Sequence, residues 1–291
     1  MNNNYNRPSP QQGRNPAYSD NRRRQGRRKK KSSFARVIVI IILVALAAVA
    51  LILFGIYLSG VRYMRVQVTD DLYVKFLGKV DDENHPYKGR IIYSDGISAE
   101  VNLDKEEIAY SNGDVYRGSL SNLLKEGEGE MRYANGDIYN GNFDGDLIDG
   151  KGTYYYVGGD TYSGDFVKGK KSGEGVYTFS DGSVYEGEFK DDKKNGYGEY
   201  RYSSGDTYTG EYTDDMKNGR GTYTWSGGEV YDGGFVNDMR EGYGVYTWPS
   251  GEKYEGEFKS NVMSGKGTYT WPGGRTYTGY FENGVIVRAE E

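Results

Sequence analysis

The chain is predicted to be mainly β: an elongated, single-layered antiparallel β-ribbon of tandem 23-residue hairpin repeats, preceded by one transmembrane α-helix and a disordered basic tail. Three observations predict it. Tyrosine returns every 23 residues through the C-terminal half, aromatic and polar residues alternate inside each unit, and one long uncharged run lies near the N-terminus. A supersecondary unit copied at fixed period buries its apolar face only by stacking on its neighbours.

Residues 1–36 are rich in Asn, Gln, Pro, Arg and Ser and hold eleven Arg or Lys against one acid, Asp20. With so little to bury, this basic cytoplasmic tail is expected to be disordered. Residues 37–61, Val37 to Val61, are 25 residues without a charge, against the roughly 20 that a hydrocarbon core needs. The small residues from Ala45 to Ala50 raise the alternative of a cleaved signal peptide. A signal's apolar region is about 7 to 15 residues, and this run continues well past them, so an uncleaved anchor is expected.

The runs Arg22-Arg23-Arg24 and Arg27-Arg28-Lys29-Lys30-Lys31 adjoin the apolar stretch. By the positive-inside bias they keep the N-terminus cytoplasmic and send the rest across, a single-pass chain in the cell membrane. The same cluster can rest on anionic headgroups, at roughly 1 kcal/mol per charge, while nucleic acid or a protein stays open as its contact. Residues 62–291 hold 26 bases and 41 acids, so no nucleic acid is expected as a partner of the repeat domain.

Residues 62–109 contain strand-like pieces, Tyr73 to Leu77 and Arg90 to Tyr93, and read as a β-rich juxtamembrane stalk or cap. Its register does not match the 23-residue motif, which leaves open whether it continues the ribbon.

Residues 110–291 are the repeat array. Its units are marked by Tyr116, Tyr139, Tyr162, Tyr185, Tyr208, Tyr231, Tyr254 and Tyr277, each followed two residues later by glycine: Gly118, Gly141, Gly164, Gly187, Gly210, Gly233, Gly256 and Gly279. An aromatic usually stands two beyond that, as in Tyr185-Glu186-Gly187-Glu188-Phe189. A Gly-x-Gly pair (Gly196, Gly198) and a second aromatic run (Tyr200-Arg201-Tyr202) complete the unit. Alternation of period two marks a half-buried strand. The dipeptides Asn135-Gly136, Gly158-Gly159, Asp181-Gly182, Ser204-Gly205, Gly227-Gly228, Ser250-Gly251 and Gly273-Gly274 read as tight two-residue hairpin loops. Glycine weakens a strand, so its recurrence predicts close approach of a ring or backbone. The face carrying Glu188, Glu211, Glu257, Thr222, Thr224 and Thr270 is expected to be wet. The half-unit Tyr110 to Asp114 is expected to open the stack and Tyr277 to Val287 to close it.

This pattern, Tyr-x-Gly-x-Phe, Gly-x-Gly and a glycine-containing turn, resembles the MORN (membrane occupation and recognition nexus) repeats over Tyr110 to Gly284. Unit 116–138 departs most, with Leu120 and Met131 at aromatic positions. The resemblance implies an open, single-layered ribbon serving as a scaffold, a dimerisation surface or a lipid-proximal module.

A repeat spreads equivalent residues over every unit, whereas catalysis needs a singular constellation, and none stands out. There is no cysteine, hence no thiol nucleophile or thiolate metal site. The single histidine, His85, lies in a polar Asn-His-Pro segment and reads as a loop residue. The pairs Asp191-Asp192 and Asp214-Asp215 read as solvated loop acids, and Asp144 to Gly150 lacks the spaced ligands and closing glutamate of a calcium loop. No catalytic residue, metal or cofactor is expected. The remaining feature is a stripe, because Trp225, Trp248 and Trp271 are the chain's three tryptophans and share one offset that Phe179 and Tyr202 fill elsewhere.

The expected function is that of a single-pass membrane-anchored, non-enzymatic scaffold or binding protein. It would present an extracytoplasmic repeat domain to a protein partner or to itself. A cell-envelope glycan-binding module, suggested by the tryptophan stripe, and a phospholipid-proximal tether are the alternatives. A Cys-free ectodomain without Asn-x-Ser/Thr sites suits a bacterial cell envelope.

Overall fold

The computed structural model describes residues 22–67, 73–94 and 96–289. The chain divides into two compact units, Met1–Ser59 and Gly60–Glu291. The first contains helix α1, Arg22–Leu58. Its stretch Phe34–Leu58, 25 residues at a mean hydropathy of 3.6 and with none of its apolar window buried, is long and apolar enough to cross a membrane. Both helix bounds differ from the expected 37–61. At the N-terminal end the helix takes in the basic run, whose Arg, Lys and Gln residues are good helix formers. Only residues 1–21 of the expected disordered tail stay outside it, and they lie outside the described residues. At the other end Ser59 donates its N–H to the Gly55 and Ile56 carbonyls, Gly60 takes φ +76°, and Val61 already belongs to a strand.

The second unit is one antiparallel sheet of 21 strands among the described residues. Strands β1 (Val61–Gln67), β2 (Tyr73–Val80), β3 (Pro86–Ile92), β4 (Ser98–Asn102) and β5 (Glu107–Tyr110) form a meander. β5 pairs directly with β6 (Val115–Ser121), the first strand of the array, so residues 62–109 continue the ribbon. The hairpin β2–β3 is a disguised repeat. Phe76 faces Ile91 and Gly78 faces Gly89, the spacing of Tyr185 to Tyr200 and Gly187 to Gly198. Phe76 is fully buried. The shorter hairpin β4–β5 then shifts the phase, which hides this unit from a search at period 23.

Every array hairpin but the last has a seven-residue first strand and a nine-residue second strand, as in Val184–Lys190 and Lys193–Arg201; the last second strand, Val285–Ala289, has five. The surplus is absorbed in a bulge between Gly187 and Phe189 in the register. Gly196 sits there at φ +83°, a conformation that disfavours any side chain. The two-residue loops lie at Asp191-Asp192 and Asp214-Asp215, where both residues have positive φ, as type I′ turns require. The glycine dipeptides assigned to two-residue loops instead close wider turns. Gly205 N–H donates to Tyr202 and Tyr202 N–H to Asp206, with Gly205 at φ +91°. That is the geometry of a type I turn followed by a left-handed glycine.

Both aromatic sets share one face, because Tyr185 pairs with Tyr177 on one side and Tyr200 on the other. The opposite face carries the exposed Glu188, Glu211 and Glu257 and the half-exposed Thr222, Thr224 and Thr270. His85 is an exposed loop residue beside Asp81 and Glu83.

Candidate functional site

The aromatic face is built from glycine upward. The leading tyrosine lies flat along its own strand over two paired glycines. A Cβ placed on Gly198 would stand 2.5 Å from Tyr185 Oη, and one on Gly187 2.8 Å from it. The ring then reaches three residues on, where Tyr185 Oη donates to the Glu188 carbonyl at 3.0 Å. Tyr162, Tyr208, Tyr231 and Tyr254 repeat that bond at 2.9–3.0 Å. Seven leading tyrosines, Tyr116 to Tyr254, are fully buried. The Gly-x-Gly pair therefore does two jobs: its first glycine supplies positive φ and its second makes room for the ring.

Between successive tyrosines stands the Tyr-x-Gly-x-Phe aromatic, edge-on to both. Phe189 meets Tyr162 at 5.0 Å and 80° and Tyr185 at 5.1 Å and 89°. Such edge-to-face pairs add about 0.5–1.5 kcal/mol beyond area burial. This inner ladder runs from Tyr116 to Phe281, with Tyr212 in one phenylalanine slot.

An outer ladder follows the wide turns. It steps through Tyr200, Tyr202, Tyr223, Trp225, Tyr246 and Trp248 at centroid separations of 4.2 to 5.9 Å. Trp225 and Trp248 are half-buried rungs packed against the core. Trp271 ends the line against Tyr269 at 4.9 Å, with the Arg275 guanidinium 4.2 Å above its ring. The structure thus brings the three tryptophans onto one line, as part of a ladder to which Tyr156 and Phe179 also belong.

Between the ladders lies a row that sequence reading missed: Lys125, Lys171, Lys194, Lys217 and Arg240, each over aromatic rings. Lys194 Nζ is 5.7, 5.1 and 5.4 Å from the Tyr185, Tyr200 and Tyr212 centroids. The second acid of the next loop holds the lysine backbone, since Lys171 N–H donates to Asp192 Oδ1 and Lys194 N–H to Asp215 Oδ1, both at 2.9 Å. Asp192 and Asp215 are exposed loop acids, as read from the sequence, and in addition each fastens the neighbouring hairpin through this bond. Their loop partners Asp191 and Asp214 are exposed and pair with Lys170 and Lys193 at 3.1 and 3.2 Å. A signal was present in the sequence: Lys125 precedes Asp146, Arg240 precedes Asn261, but Ile148 and Met263 precede Gly169 and Gly284.

A second missed group fastens the wide turns. Asp160 accepts from Tyr177 Oη at 2.7 Å and Ser180 N–H at 2.8 Å. Asp137 takes Tyr154 and Val157 likewise, and Asp206 takes Tyr223 and Ser226. These bonds hold the carboxyls below the ordinary aspartate range: at Asp160 the Tyr177 hydroxyl is the main cause, at Asp137 and Asp206 the backbone N–H. A depressed folded pKa stabilises above the unfolded value and is lost as pH falls through the folded one. Acid titration of thermal stability is therefore expected to fall below about pH 4, with a shallower slope in the triple Asn variant of Asp137, Asp160 and Asp206. Equal slopes would remove these clamps from the account.

Burial drives tyrosines the other way. Tyr116, Tyr139, Tyr231 and Tyr254 are pushed up to about 12, desolvation being the main cause. A raised folded pKa stabilises below the unfolded value of about 10 and is lost as pH climbs through the folded one. Phenolate absorbance is expected to rise in two stages, exposed tyrosines first and the ladder in one cooperative step with unfolding near pH 12. A single non-cooperative rise centred near 10 would contradict the burial.

This open sheet of glycine-floored hairpins defines a repeat scaffold rather than an enclosed pocket. The MORN repeat model matches residues 116–138, 139–161, 162–184, 185–207, 208–230, 231–253 and 254–274. Those matches cover more than half of the chain, and the chain belongs to the MORN repeat family. No curated protein matches it. Among solved structures it is similar to the TCP10 domain of Danio rerio CPAP in complex with a STIL peptide: 13% identity over 73% of this chain and 97% of that one, TM-score 0.39. It is also similar to the Drosophila melanogaster SAS-4 TCP domain in complex with a proline-rich motif of Ana2, at 17% identity over 59% and 90%, TM-score 0.34. At these TM-scores the likeness is loose, and what those domains bind belongs to them.

Proposed function

We propose that the chain is a single-pass, membrane-anchored, non-enzymatic scaffold that presents its MORN ribbon on the extracytoplasmic side for protein–protein interaction or self-association. The observation that carries this reading is the aromatic face, a two-ladder surface whose outer rungs stay half-exposed over many consecutive repeats. An open surface of that kind suits extended contact, and spreading equivalent residues over every repeat suits binding better than chemistry. The apolar helix supplies the anchor, and the basic run before it supports a cytoplasmic N-terminus.

Orientation is tested on intact cells carrying a C-terminal tag after Glu291, with a cytoplasmic protein as control. External protease is expected to remove the tag. Protection that gives way only on permeabilisation would place the ribbon inside and overturn the orientation.

The tryptophan line keeps a cell-envelope glycan as the second reading, since half-exposed indoles at one offset can stack on sugar rings. Retention on isolated envelope polymer that survives Trp225→Ala, Trp248→Ala and Trp271→Ala together would dismiss it.

A further inference from the structure

The furrow between the two ladders has a spacing, a charge and a set of free donors that together select one kind of occupant. Successive hairpins lie two strands apart, about 9.6 Å at roughly 4.8 Å per strand. A polyproline II helix advances about 3.1 Å per residue with three residues per turn, about 9.3 Å. Lying across the strands, it would bring the same face to each repeat in turn. A β-strand covers a similar distance in three residues, but its side chains alternate with period two, so every second repeat would meet the wrong face.

The furrow is close to neutral. Lys171, Lys194 and Lys217 share its lining with Asp192, Asp215 and Asp238, and Arg240 beside Asn261 adds one positive charge, so a strongly charged segment of either sign is not favoured. Rings make its walls. A cleft of about 170 Å³ is lined by Lys171, Tyr177, Phe179, Tyr185, Phe189 and Lys194, with Asp192 and Asp215. A second, of about 110 Å³, is lined by Tyr223, Trp225, Phe235 and Arg240, with Lys217, Asp238 and Asn261. Their central strands, bearing Phe189 and Phe235, are two hairpins apart, about 19 Å, or six residues of polyproline II.

Donors without acceptors complete the pattern. Among the described residues, the Lys171 and Lys194 ammonium groups touch rings yet have no hydrogen-bond or ion-pair partner. Burial lowers the pKa of both. Polyproline II carries the complementary set, because its carbonyls are unbonded within the helix and its pyrrolidine rings pack on aromatic walls.

We propose that the furrow from Lys171 to Arg240 binds a proline-rich segment of a partner protein in the polyproline II conformation, one turn per repeat. This rests on the protein-binding reading above and narrows it to one chemistry.

The test uses the full chain in lipid nanodiscs and tryptophan fluorescence, titrated with a ten-residue proline peptide, a Gly/Ser peptide and a poly-glutamate peptide of equal length. The proline peptide is expected to bind at least tenfold tighter than either control. Trp225→Leu is expected to weaken it at least fivefold with the circular dichroism unchanged, whereas Tyr243→Ala on the opposite face leaves it unaltered. Equal affinity for all three peptides, preference for glutamate, or indifference to Trp225→Leu in a folded variant would each overturn the proposal. Photocrosslinking in cells from p-benzoylphenylalanine at Tyr202 on the aromatic face separates the two failures: if proline preference is absent while a partner is still crosslinked there, the inference alone fails, and if no partner is crosslinked either, the protein-binding reading fails with it.

Discussion

Gly198→Ala is expected to destabilise its part of the ribbon, although alanine normally stabilises a strand relative to glycine. Gly198 has no positive φ to protect, so backbone conformation permits alanine. What forbids it is space, because the new methyl would stand 2.5 Å from Tyr185 Oη and 2.7 Å from Cε2, closer than real Cβ contacts allow. The ring cannot swing away: its hydroxyl is bonded to the Glu188 carbonyl, and Phe189 and Tyr212 stand edge-on against it. Overpacking of this kind costs about 1–3 kcal/mol or more. Against it stands the ordinary gain of about 0.5–1 kcal/mol on replacing an interior glycine. Thermal unfolding is expected to shift down by several degrees, and hydrogen exchange to accelerate first around residues 184–201. Wild-type stability in Gly198→Ala would refute the packing of rings on glycine.

Tyr208→Ala is expected to cost about 3–5 kcal/mol, the range for removing a buried aromatic. The side chain is fully buried, covers Gly210 and Gly221, and braces Tyr212 and Phe235 on either side. Tyr208→Phe keeps the ring and loses only the 3.0 Å bond to the Glu211 carbonyl, at about 1 kcal/mol. Because each repeat contacts only its neighbours, the array approximates a one-dimensional stack. The alanine variant should therefore break cooperativity, giving two unfolding transitions where the wild type and the phenylalanine variant give one. Similar losses in both variants would assign the stabilisation to the hydroxyl rather than to the ring.

The repeat was legible because its determinants are local. A buried tyrosine, a glycine that must admit its ring, and a turn glycine at positive φ each leave a fixed residue at a fixed offset. Residues 62–109 escaped because Phe76 and Ile91 replace the tyrosines and one hairpin is shorter, so the chemistry persists while the period does not. The Lys171–Asp192 and Asp160–Tyr177 fastenings escaped because they join different repeats. An exposed loop acid shows its bond to another hairpin only once that hairpin is laid beside it. Charge and apolar length were enough to find the helix but not its start, since apolarity marks where a membrane can be and not where helical hydrogen bonding begins.

The central claim is that the aromatic face, rather than the more exposed acidic face, makes the contacts. Photocrosslinking in cells decides between them, with p-benzoylphenylalanine in the full chain at Tyr202 on the aromatic face or at Tyr197, 59% exposed on the other. Discrete adducts are predicted from position 202, at the mass of a partner or of a second copy, and none from position 197. Adducts from position 197 alone, or from neither, would contradict the account.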